Sequence, residues 1–165
     1  MTDELDLSAR VVKTLHRDGL PSFLLRRQLT VLTTDWNDIL RSFLDKRVSL
    51  SMQQDDVVWS ILHPDGTVQH PAFLGGMETF LMDVALKLVF HQRSCVPKTS
   101  FFVIDEGVSQ MDKTHLSDLS RLTDFLRTHF ATSWIVTHVE RVRDFVDGEH
   151  RVVRDGGVST LLLHA

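Results

Sequence analysis

The chain has 165 residues, 42% of them apolar and 24% charged, with a net charge of -4. That is enough for one domain with a real core, and the charge offers no global attraction to nucleic acid or an anionic membrane, so any DNA contact needs a local patch. The single cysteine, Cys95, excludes an internal disulfide framework.

The first six residues, Met-Thr-Asp-Glu-Leu-Asp, are acidic and lack the apolar centre of a signal peptide. No apolar stretch approaches the length of a membrane span. The expected setting is intracellular, in a reducing compartment, with Cys95 a small buried thiol. Residues 5 to 18 read as an amphipathic helix with Leu5, Leu7, Val11, Val12 and Leu15 on one broad face. Gly19 stops it and Pro21 restarts the chain. A second helix is expected from Ser22 to Leu44, with a candidate break near Thr33-Thr34.

Val48 to Gln53 alternates with the period of two of a half-buried strand, and Val57 to Leu62 suits a second strand. His63-Pro64-Asp65-Gly66 is a turn, because Pro presets one dihedral and Gly accepts positive φ. This stretch reads as a hairpin or meander. After Pro71, Gly75-Gly76 precedes a periodic run through Phe80, Leu81, Val84, Ala85, Leu88 and Val89, a buried helix ending near His91. Phe101 to Ile104 is a fully apolar strand of the kind found inside a parallel sheet. Leu116, Leu119, Leu122, Phe125 and Leu126 give a helix, Ala131 to Val136 a strand, and Val139 to Val146 a short helix. Val152-Val153, a Gly156-Gly157 turn and Val158 to Leu163 give a closing hairpin. Strand, helix, strand, helix implies a parallel sheet with crossover helices, so the expected fold class is α/β, a mostly parallel sheet with crossover helices, an antiparallel portion and an N-terminal helical neck.

Chemistry concentrates where Phe101-Phe102-Val103-Ile104 ends in Asp105-Glu106. Ligands bind α/β sheets at the carboxyl ends of strands. There Asp105 can hold Mg²⁺, and Glu106 can orient or deprotonate an attacking water. A strand that merely ends in two solvated acids is the plainer alternative. Gly75-Gly76 before a helix lets backbone amides approach a phosphate, or simply starts the helix. His138, just past the next apolar strand, can donate to a terminal phosphate or be an ordinary loop histidine. Asp112 suits a helix cap as well as a site. Other chemistries are poorly supported. The nine histidines show no H-E-x-x-H, there is no G-x-S-x-G, and no G-x-x-x-x-G-K-[ST] phosphate loop is present.

In this order the pieces resemble the C-terminal half of an ABC-type ATPase head, and more closely that of the SMC/SbcC-like double-strand-break repair ATPases, viral and phage recombination members included. Gly75-Gly76-Met77-Glu78-Thr79-Phe80, running into Val84-Ala85-Leu86-Lys87, looks like the signature motif and its helix. Phe101 to Glu106 looks like the Walker B strand, Gly107 to Asp112 like the D-loop, and Ile135-Val136-Thr137-His138 like the switch-histidine strand. Gly19-Leu20-Pro21 and Trp36-Asn37-Asp38-Ile39-Leu40 resemble the place where the returning coiled coil meets the head. The resemblance covers residues 15 to 163 and divides the chain into a neck, 1–45, and a head lobe, 46–165.

The resemblance implies ATP and Mg²⁺ as cofactors. Asp105 would coordinate the metal, Glu106 would be the catalytic carboxylate, and His138 would contact the γ-phosphate. Asp112 would communicate across a head-to-head dimer. Gly75, Gly76, Met77 and Glu78 would reach, in trans, the ATP of the opposing head. A phosphate-loop-bearing N-terminal half would complete the site, so the chain would be a fragment or one product of a split gene. A partner nuclease and DNA are implied as well. One departure concerns Gly75, which stands where the signature serine is usual. Losing that hydroxyl donor to a charged acceptor costs about 1.5–3 kcal/mol. Two alternatives follow: a non-catalytic ABC-like module that dimerises or senses nucleotide, and a transporter nucleotide-binding subunit.

Overall fold

The computed structural model describes residues 2–16, 18–53, 56–108 and 116–164. Helix α1 spans Thr2–Leu15 and α2 Leu20–Leu40. Strands β1 (Arg47–Gln53), β2 (Asp56–Leu62) and β3 (Val68–Gln69) form one antiparallel sheet in that order. A short 3-10 turn, Pro71–Phe73, leads to α3, Gly76–Arg93. Strands β4 (Phe101–Asp105) and β5 (Thr132–Val136) pair in parallel, joined through α4, Leu116–His129. A 3-10 helix, Glu140–Phe145, precedes the hairpin of β6 (Glu149–Asp155) and β7 (Val158–His164). The chain divides into two compact units: Met1–Arg41, Asp45–Leu74 and Val84–Arg93 make the first, and Ser42–Leu44, Gly75–Asp83 and Ser94–Ala165 the second.

In the first unit, α2 runs unbroken through Thr33 and Thr34, against the candidate break there. The hydroxyls of Thr30, Thr33 and Thr34 donate to the carbonyls of Arg26, Leu29 and Thr30, four residues back. The threonines thus use the helix's own acceptors and do not compete with it. The helix ends at Leu40, earlier than expected, and Phe43 and Leu44 are buried in the turn that follows. Asn37 fastens α2 to β1. Its Nδ2 donates to the Val48 carbonyl at 2.9 Å, and its Oδ1 accepts from the Val48 N–H at 2.8 Å. Trp36 is buried against Trp59, their ring centroids 5.5 Å apart. Val48 and Ile61, directly opposite each other in the β1–β2 ladder, are both core residues. Arg93, at the end of α3, forms a two-pronged ion pair with Asp35 and holds that carboxyl below its usual range. By contrast, Leu7, Val11, Val12 and Leu15 of α1 are exposed.

In the second unit α4 buries Leu119, Leu122 and Leu126, with Phe125 edge-to-face on fully buried Phe43. Phe102 packs against Phe130. The apolar run Phe101 to Ile104 alternates between open and covered positions. Ile104 is buried, but Phe101 and Val103 are about half exposed, as are Trp134 and Val136. Register puts Val103 beside Trp134 and Asp105 beside Val136, so these residues share one open face. Among the described strands β4 and β5 pair only with each other, and His150 of β6 lies beside Trp134, their ring centroids 5.8 Å apart. Cys95 is likewise exposed, not buried, because it lies on the irregular segment between α3 and β4. The β6–β7 hairpin closes on Gly156 and Gly157, both at positive φ, as a two-residue turn matched to strand twist requires.

Candidate functional site

Parallel pairing with zero offset carries β4 and β5 to the same edge, since Phe101 faces Thr132 and Asp105 faces Val136. Asp105 is the last strand residue and is exposed. Glu106 then turns sharply away from the strand. Its φ is +51°, the single left-handed non-glycine among the described residues. A side chain in that region costs about 1–2 kcal/mol, and it persists only where neighbours over-determine it. One neighbour is Val136, whose carbonyl accepts the Glu106 N–H at 2.8 Å. The other is Gly107. A β-carbon at that position would sit inside the Phe80 ring, so only glycine lets the ring lie on this backbone. Val108 then drops fully into the core.

His138 reaches the same edge from β5. Thr137 Oγ1 accepts the Val139 N–H at 3.0 Å, which closes a small turn around the histidine. His138 Nδ1 lies 4.0 Å from Glu106 Oε1, and both side chains are about 70% exposed. Asp105, Glu106 and His138 are therefore brought together at one solvent-facing edge. No group of three potential metal ligands occurs among the described residues. Mg²⁺ is commonly held by one or two carboxylates plus nucleotide phosphates, and an exposed Asp105 at a strand end fits that role better than an all-protein cage.

Gly75 is the cap of α3. The Glu78 carboxylate accepts its N–H at 3.2 Å, and its carbonyl takes both the N–H and the hydroxyl of Thr79. This is half of a capping box, with glycine where a hydroxyl would stand. Gly76 is exposed, whereas Met77 is only 2% exposed and belongs to the core, so a ligand could meet it only through its backbone. Asp112 lies outside the described residues. The Phe80–Gly107 contact was not anticipated from sequence, although both residues sit inside the motifs that were singled out. The signal was a glycine directly after Asp-Glu and an aromatic one turn beyond the glycine pair.

No protein-family model matches the chain. It is 28% identical over 148 residues to a DNA double-strand break repair Rad50 ATPase of Nanoarchaeum equitans, a match covering 88% of this chain and 18% of that protein. It is 24% identical over 164 residues to the uncharacterised protein R555 of Acanthamoeba polyphaga mimivirus, covering 87% of this chain and 12% of that one. The chain thus spans less than a fifth of the length of these curated relatives. Among solved structures, one from work on ATP-driven dimerisation and DNA-stimulated activation of SMC ATPases superposes with a TM-score of 0.67 at 14% identity, covering 86% of this chain and 88% of that one. The Smc head domain with coiled coil and joint from Pyrococcus yayanosii gives 0.66 at 14% identity, covering 99% and 32%. The SMC head domain of Thermotoga maritima gives 0.56 at 22% identity, covering 81% and 47%. The helices, the parallel β4–β5 pair and these likenesses together give the chain the fold of an SMC head domain, a P-loop ATPase fold.

Proposed function

We propose that this chain is the C-terminal ATPase lobe of a DNA repair or recombination protein, completed by a separate lobe that bears the phosphate loop. ATP is the substrate, and two completed heads close on it as a dimer. The observation that carries the reading is the juxtaposition of Glu106 and His138, 4.0 Å apart at the shared carboxyl edge of β4 and β5, one residue beyond Asp105. Asp105 is the residue that would hold magnesium, which when bound neutralises phosphate charge. Glu106 orients the attacking water and accepts its proton. His138 donates to the terminal phosphate and stabilises the charge that grows there. The α3 entry, residues 75 to 78, would reach the nucleotide of the opposing head, and Asp112 would communicate across the dimer. DNA and a nuclease are the partners this reading expects, in a reducing intracellular compartment.

The test is ATP hydrolysis by the chain mixed with a matching phosphate-loop lobe, for wild type and Glu106→Gln. Turnover should fall at least about 100-fold in the variant, while ATP-dependent dimers persist. An unchanged rate would remove Glu106 from the chemistry. A second reading, a non-catalytic clamp or nucleotide sensor, draws on Gly75. It offers one amide donor and no hydroxyl, and that amide is already engaged by Glu78. Dimers without turnover in wild type would favour it.

A further inference from the structure

We infer that Phe80 is a positioning residue for Glu106, acting through Gly107; this rests on the ATPase reading above. Glu106 is poorly held by its own side chain. The carboxylate is about 69% exposed, and the basic group recorded near it among the described residues, His138 Nδ1, is 4.0 Å away, beyond a hydrogen bond. Its direction is therefore set by its backbone, and that backbone is in a conformation glutamate does not choose. Something must hold it on both sides. On the amino side the Val136 carbonyl fixes its N–H. On the carboxyl side the Phe80 ring lies where a Gly107 side chain would be and blocks the turn from relaxing toward α3. Buried Val108 anchors the next residue.

Phe80 is also four residues after Gly76, one helical turn along the same side of α3. The residue that sets the carboxylate is thus rigidly joined to the turn that would meet the opposing head's nucleotide.

The geometry suggests a complementation experiment. Phe80→Ala removes the ring, Gly107→Ala pushes a methyl into it, and the double variant places that methyl in the vacated space. All three are assayed in the chain completed by its phosphate-loop lobe, beside wild type and Glu106→Gln. Each single variant should lower kcat about tenfold or more, with KM for ATP within about twofold, because the loss is one of alignment and not of binding. The double variant should recover at least about threefold over either single one. Thermal unfolding of the full chain, followed in parallel, reads any purely structural contribution. Lowered melting with kcat intact, or multiplicative losses in the double variant, would overturn the positioning role. If Glu106→Gln stops turnover and Phe80→Ala does not, the inference alone fails. If wild type shows no turnover, the ATPase reading fails and takes the inference with it.

Discussion

Glu106 carries two requirements that pull against each other. A carboxylate is wanted at the edge, yet the backbone there suits glycine. Glu106→Gly should therefore unfold at an equal or higher urea concentration. Relief of the left-handed strain offsets the greater freedom glycine has when unfolded, for a net gain of up to about 1 kcal/mol. A loss larger than that would mean the side chain itself holds the turn. The placement of Asp105, Glu106 and His138 at one strand edge was legible from sequence, because the apolar runs before them read as neighbouring parallel strands. The left-handed turn was not legible, since nothing in Asp-Glu-Gly says which of the three residues bends. Met77 shows the reverse limit: inside a motif, its side chain nonetheless serves the core.

At the scale of elements, Asn37 does for α2 and β1 what a shared strand would do for two strands. It satisfies both the donor and the acceptor of Val48. Asn37→Ala leaves those two backbone groups without their partner, and should cost about 1–3 kcal/mol in chemical unfolding. A loss under about 0.5 kcal/mol would show that water replaces the amide. Helix and strand periods located nearly every element to within a few residues, including the short helix after β5, which is a 3-10 helix over Glu140–Phe145. What the periods could not give was the end of α2. Phe43 and Leu44 continue the apolar pattern, but they are buried from a turn, so pattern and conformation part company after Leu40. The threonine pair misled for a related reason, because propensity ignores the i−4 carbonyls that absorb their hydroxyls.

For the whole molecule, the open face of Phe101, Val103, Trp134 and Val136 shows what apolar composition leaves undecided. Apolar composition says that a strand wants cover on both sides, but not whether the same chain supplies it. If the phosphate-loop lobe supplies it, Trp134 should pass from about half exposed to buried on mixing. Its emission should shift to the blue, read in a chain whose Trp36 and Trp59 are replaced by Phe. An unshifted spectrum with active heads would place the lobe elsewhere. The same face, with both flanking edges free among the described residues, also sets a race. Pairing of this chain with itself grows as the square of its own concentration, whereas capture by the other lobe grows with the product of the two. Supply of the two lobes in step, rather than the strength of their final contact, would then govern how much of this chain ever reaches a working head.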